Sequence, residues 1–473
     1  MIRAIVEKEL LEFRHDARLR WLALALYALF AVALWSGYAA YRSTSQTHQA
    51  AQEATYRQWL GQGAKNPHGA AHYGFYAYKP LSPLSLLDPG LEGYLGQAVW
   101  LEAHNQNEVK QREANDAGSL VRFGTLTVGF VWQFLVPLAI VLLSFNLFTK
   151  EHEGGTLRLL LSTETTPWAL LQGKALALLR IVGTLVAPML VLAVVAVGVA
   201  AGPAGLAAVL PRLALVLGLY ALYFAGWAVG GLLVSTRARS SGVALITLLG
   251  FWVFGTFLVP RLSGSVAKAA FPAPSAFAFS HNVRLDNELG LDRHTPAGLR
   301  KKQLEARLLR QYGVDSISQL PVSYQGLSLQ AGEDYGEQVY ARNYGGLHRI
   351  YQRQDALMDG FSLLSPLLAM RNVSAGLAGT DLAKHLEFAR QAEQHRELIA
   401  DVMNRDITRN AVGQQDYKTS PDLWRQVPPF RYAELGLGQS LQAHGLGLAA
   451  LALWLAALFF LLKQSAGRVR LRA

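Results

Sequence analysis

Six apolar runs of membrane-spanning length limit what this chain can become: Trp21–Tyr41, Thr125–Phe148, Leu170–Ala201, Leu213–Val234, Gly242–Val259 and Ala443–Leu462. A helix needs about 20 mostly apolar residues to cross a bilayer core. None of the six runs carries an acidic residue, and Arg180 lies near enough to the start of its run for the guanidinium to reach the headgroups. Charged residues make up 16% of the chain, against about 25% in globular proteins, and 473 residues is long for a single soluble core. The reading is an all-α polytopic membrane protein, with six transmembrane helices and a mainly helical extracytoplasmic domain. There is no cysteine, which excludes disulfides and thiolate metal sites.

The flanks orient the runs. Arg3, Lys8, Arg14, Arg18 and Arg20 precede the first run, and Lys150 and Arg158 lie between the second and third, with Lys174 at the very start of the third. Arg237 and Arg239 separate the fourth and fifth, and Lys463, Arg468, Arg470 and Arg472 follow the sixth. With six spans all of these fall on one side, which the positive-inside rule makes cytoplasmic. The long segments on the other side, 42–124 and 260–442, are close to charge-balanced. The net charge of +11 is therefore a topology signal, and nucleic acid is not expected as a partner. The first run is too long for a cleaved signal peptide, despite the small residues at Ala39 and Ala40.

Residues 1–20 precede the first span as an amphipathic interface helix, with Ile2, Ile5, Val6, Leu10, Phe13 and Ala17 at helical spacing. A polar island, 149–169, separates the second and third spans. Its Gly154-Gly155 pair breaks any continuing helix, Thr156 can cap a short turn through Leu161, and Thr166-Pro167 reads as the cap and first position of the next helix. Residues 463–473 form a basic cytoplasmic tail.

The N-terminal helix, the six spans and the island's E-G-G-T-L-R-L-L-L-S-T…W…L…G-K pattern together resemble the ABC-2 type permeases of ATP-binding-cassette transporters. The resemblance implies a coupling helix that docks on a nucleotide-binding subunit. The matching positions are Glu153, Gly155, Thr156, Leu157, Arg158, Leu159, Leu160, Leu161 and Ser162, continuing to Trp168, Gly173 and Lys174. It implies that Ile2–Arg18 lies along the membrane and approaches the ATPase. It also implies a second permease chain, as homodimer or related heterodimer, and a location in the bacterial cytoplasmic (inner) membrane with both termini inside. Residues 365–405 look like a subgroup with large extracytoplasmic insertions.

No phosphate-binding loop is present. At the nearest approach, Gly173-Lys174, Trp168 stands where the first glycine is needed and Ala175 where the hydroxyl is needed. ATP and Mg are accordingly expected in a separate partner chain, and this chain is not expected to be an enzyme.

Within the insertions, helices are expected at about 42–58, 95–115, 297–312, 335–358 and 381–409, with interruptions at Gly332, Pro366, Gly376–Gly379 and Pro428-Pro429. Tyr324, Tyr335, Tyr340, Tyr344 and Tyr351 read as packing groups. His68 and His72 are four apart, but Pro67 and Gly69 argue against a regular helix there and spacing offers no third ligand, so no metal is expected. Glu393, His395 and Glu397 alternate and do not share a helix face.

Gly226 and Gly230 form a G-x-x-x-G pattern suited either to a dimer interface or to packing within the chain. Gln133 and Asn146 are the polar residues of the second span to consider for a pathway. The spans lack central charges and are ill suited to small ions. Three functions follow as expectations: an ABC exporter permease, an ABC membrane subunit that drives its external domain mechanically, and a membrane-anchored scaffold or receptor.

Overall fold

The computed structural model describes residues 1–112, 125–162, 165–414 and 416–472. The chain starts with α1 (Ile2–His15), which ends where Asp16 adopts extended backbone. α2 (Ala17–Leu60) follows as one helix of 44 residues. At 1.5 Å per residue it is about 66 Å long, roughly twice the thickness of a bilayer core. No glycine or proline interrupts it between Tyr38 and Leu60, so its apolar first half continues directly into a polar second half.

The next membrane-length helix, Val128–Glu153, contains a widened turn at Val131–Leu135. Pro137 supplies no N–H to close an ordinary turn onto Gln133, and the Tyr223 hydroxyl donates to that carbonyl instead, at 3.1 Å. α4 (Thr156–Ser162) is a two-turn helix, and α5 (Pro167–Arg237) is capped by Thr166, whose hydroxyl accepts from the Ala169 N–H. α5 is broken at Gly202, whose φ of 64° is unfavourable for any side chain, with Pro203 immediately after it. A helix then runs from Ser241 to Ala270. It does not stop at Val259 as expected. A second widened turn at Phe254–Leu258 absorbs Pro260, and the Ser365 hydroxyl donates to the Gly255 carbonyl at 2.8 Å.

Among the described residues, five helices are long and apolar enough to cross a membrane, counting α5 once and including the last helix, which starts at Gly445. Their core holds Phe30, Trp132, Met189, Tyr220 and Phe224, with Trp132 edge-on to Tyr220.

The remaining segments build a loop domain. It contains α3 (Pro67–Tyr73), then β1 (Phe75–Tyr78) paired antiparallel with β2 (Ala98–Leu101), Phe75 facing Leu101. The expected helix at 95–115 does not form over its described part. Val99, Leu101, Ala103 and Val109 are buried against the tertiary core, and Gly96 packs so closely on the Val109 carbonyl that no side chain fits there. Cross-strand burial overrides local preference here. The helix predicted absent at Pro67 and Gly69 does form. Pro67 occupies its first turn, where no N–H is needed, and the Asn66 side chain caps it.

The larger insertion supplies Ala297–Tyr312, α6 (Tyr324–Gly360), α7 (Pro366–Ala378) and α8 (Leu382–Asn410). Gly332 lies inside α6 and does not interrupt it. α7 packs into the core of the apolar bundle through Met370, Val373 and Leu377. The last helix, α9 (Gly445–Arg472), completes the bundle.

α2 and α8 carry the loop-domain core. The Gln52 amide donates to the Tyr76 carbonyl and accepts from the Tyr78 N–H along one edge of β1, and Trp59 donates to the Trp424 carbonyl. Within this core His395 sits between the rings of Phe75 and Phe430, and burial lowers its pKa to about 4. Burial and then the nearby Lys79 lower that of His385 to about 3. Both folded values lie below the unfolded value of about 6.5. Their contribution to stability is therefore complete above about pH 6.5 and is lost as pH falls toward the folded values. We expect the loop domain to melt several degrees lower at pH 5 than at pH 7.5. In thermal scans, His395→Phe should flatten that slope, and an unchanged slope would contradict the assignment.

Candidate functional site

One face of α1 concentrates paired charges against the bundle. Glu9 lies on the buried face of α1, beside Val6, and is fully buried. Its carboxylate accepts from Lys174 Nζ at 2.5 Å, and Lys174 is itself fully buried near the start of α5. Lys174 also lies 3.3 Å from Glu151, and its ammonium faces the Phe148 ring. Lys8 reaches Glu151 at 2.6 Å and Glu12 at 2.8 Å, and Lys150 pairs with Glu12. Three lysines (8, 150, 174) meet three glutamates (9, 12, 151), and the cluster is neutral. Buried ions are tolerated when paired in this way.

The approach that allows it is set by glycine. A Cβ at Gly173 would stand 2.6 Å from Ile5 Cγ2, so only glycine lets α1 lie against α5 there.

The island folds around this cluster. Glu153 accepts from the Ser241 N–H at 2.8 Å and from its hydroxyl at 2.7 Å, which fastens the island to the start of the Ser241–Ala270 helix, the one after α5. Gly155 takes a left-handed φ of 70°, and Thr156 donates to Glu151. α4 then presents two faces. Leu157 is buried, Leu160 and Leu161 pack partly against the core, and Arg158, Leu159 and Ser162 are exposed. Leu159 is 69% exposed, an apolar side chain on an otherwise polar outer face. Positions 163 and 164 of the island lie outside the described residues.

The structure thus joins the island to α1 and to Lys174 through Lys150 and Glu151, with Thr156 bonded to Glu151 and Glu153 bonded instead to Ser241. Sequence reasoning missed Glu9 and Glu151. Glu9 had a signal, since it interrupts the apolar stripe of Ile5, Val6, Leu10 and Phe13, and an acid on such a stripe needs a buried cation. Glu151 had none.

The other predicted residues lie apart. Gln133 is buried at the loop-domain end of the bundle, where its amide donates to Asp88 at 3.0 Å and to Tyr220 at 2.8 Å. Ser374 on α7 also donates to Asp88. These contacts join both insertions to the bundle. Burial raises the Asp88 pKa, and its hydrogen bonds oppose the rise. Asn146 is half-buried 13 residues along the same helix, about 20 Å away, and its carbonyl accepts from Lys150. Gly226 and Gly230 pack against Leu455 and Leu458 of α9, so their close approach is made within the chain, beside an apolar cavity of about 390 Å³.

A family model described as a domain of unknown function, DUF3526, matches residues 280–433, which span most of the larger insertion. No curated protein matches the chain.

Proposed function

We propose that this chain is the permease subunit of an ABC-2 type exporter, which works with a second permease chain and a separate ATPase that binds ATP and Mg. In this reading Gly202 turns the chain between a third and a fourth span. That gives six spans, with α1, the island and both termini in the cytoplasm and the loop domain outside. The observation that carries it is the neutral ion cluster joining α1, the island and α5, with Leu159 left exposed on the short helix beside it.

A force applied to α4 reaches α5 through Lys174 and the Ser241 helix through Glu153. Movement of a docked ATPase would therefore shift several spans together. The continuity of α2 from the membrane into the loop domain supports a second reading, in which the same motor drives the loop domain without passing a substrate.

The test is purification from native membranes with any bound nucleotide-hydrolysing subunit. Leu159→Asp puts a carboxylate into the docking contact, and desolvating it should weaken association at least about tenfold. ATP turnover and co-purification should fall together, while Leu159→Met should retain both. If wild-type protein brings down no ATPase, the reading fails.

A further inference from the structure

We propose that His68, His72 and His104 form a binding site for one divalent transition-metal ion, of which zinc is the best match, on the surface of the loop domain. His68 and His72 stand one turn apart on α3, and His104 arrives from the turn after β2. Each offers a ring nitrogen, and the three nitrogens lie within 4.8 Å of one another. The Nε2 atoms of His68 and His72 are 3.2 Å apart. Two nitrogens bound tetrahedrally at the usual Zn–N distance of 2.0–2.1 Å stand about 3.3 Å apart, so this pair needs almost no movement. Only His104 has to close in.

His104 is held for that purpose from several sides. Its backbone has a φ of 68°, a region few non-glycine residues adopt. Its N–H donates to Glu333 Oε1 at 3.0 Å, and its carbonyl accepts from the Tyr340 hydroxyl at 2.9 Å. Its Nδ1 lies 2.5 Å from the same Glu333 oxygen. A proton on Nδ1, donated to the carboxylate, leaves Nε2 unprotonated and able to ligate a metal. A carboxylate behind a ligating histidine is the usual support of such metal sites. Glu333 is buried and is fixed by Arg396 on α8 at 2.9 Å.

Imidazole donors suit zinc, copper and nickel, and disfavour magnesium and calcium. Three histidines with an exposed side leave a fourth position for water or for an outside donor. The ion would tie α3 and the turn after β2 to α6 through Glu333.

The test uses the full-length chain in detergent, stripped with chelator and then titrated with Zn²⁺ against a chromogenic competitor. Wild-type protein should take up one ion per chain and melt at a higher temperature with zinc than without. His72 is exposed, so His72→Ala should melt like the metal-free wild type, bind at least about 100-fold more weakly and lose the zinc-dependent rise. Glu333→Gln should weaken binding about 10- to 100-fold while all three ligands remain. Cobalt in place of zinc should give a visible absorption band that His72→Ala abolishes. Unchanged affinity in His72→Ala, or no uptake by the wild type at 100 µM zinc (about the weakest affinity worth calling a site), would show a hydrogen-bonded imidazole cluster only.

Discussion

Lys174→Met is expected to destabilise the bundle by about 3–5 kcal/mol, the usual cost of removing one partner from a buried ion pair. The methionine fills nearly the same volume, so the loss is electrostatic. Glu9 is left fully buried, and its nearest remaining cations are Lys8 at 3.3 Å and Lys150 at 3.7 Å. Both of those lysines are already engaged with Glu12, and Lys8 also with Glu151. Adding Glu9→Gln removes the stranded charge and should restore part of the loss. Glu151 then keeps Lys8, so the double variant is the less damaged protein. The measurement is chemical unfolding in detergent, with the two single variants and the double compared as a cycle. The same variants should release α1 from α5, read as increased hydrogen exchange at Ile5 and Val6. Additive losses with no recovery would mean that the pair is not coupled and that α1 docks by apolar contact alone.

Trp424→Ala should cost the loop domain about 3–5 kcal/mol, the range for emptying a fully buried aromatic site. Trp424 packs edge-on against Trp59 near the end of α2, with ring centroids 6.0 Å apart. It also donates from Nε1 to the Gly63 carbonyl at 2.9 Å, while Trp59 donates to the Trp424 carbonyl. Alanine removes the ring and leaves the Gly63 acceptor unpaired. It should also free the Pro421–Gln426 turn from α2. Limited proteolysis should cut near this turn at temperatures where the wild type resists, with α1 and α5 still protected. Trp424→Phe keeps most of the packing and should lose less. A melting temperature within about 1 °C of wild type would show that α2 is not anchored there.

Together these results would separate the two ends of the molecule. The Lys174 variants disturb the end that the proposed ATPase would touch. The Trp424 variants disturb the junction through which α2 would carry movement into the loop domain.

Much of the architecture is legible from local pattern. Run length and the absence of acids mark the apolar helices, because a helix satisfies its own backbone hydrogen bonds within a few residues. The helices beginning at Ala297 and Leu382 appear where periodicity puts them. Thr166-Pro167 begins α5, and Gly155 turns the island, for reasons contained in those residues alone. Local pattern fails where burial comes from distant segments. Residues 98–101 form a strand because Phe75–Tyr78 offers a partner edge. Pro366–Ala378 enters the apolar core although its position along the chain assigns it to an insertion.

Sequence alone determined that this chain builds apolar helices of membrane length, an amphipathic start and a separate polar island, since each depends on neighbours along the chain. Only the tertiary structure decided the company each charge keeps. Lys174 meets Glu9 across 165 positions, and His104 joins His68 and His72 from beyond β2. No spacing rule encodes such meetings, because they exist only after packing has removed the intervening water and turned those side chains toward one another.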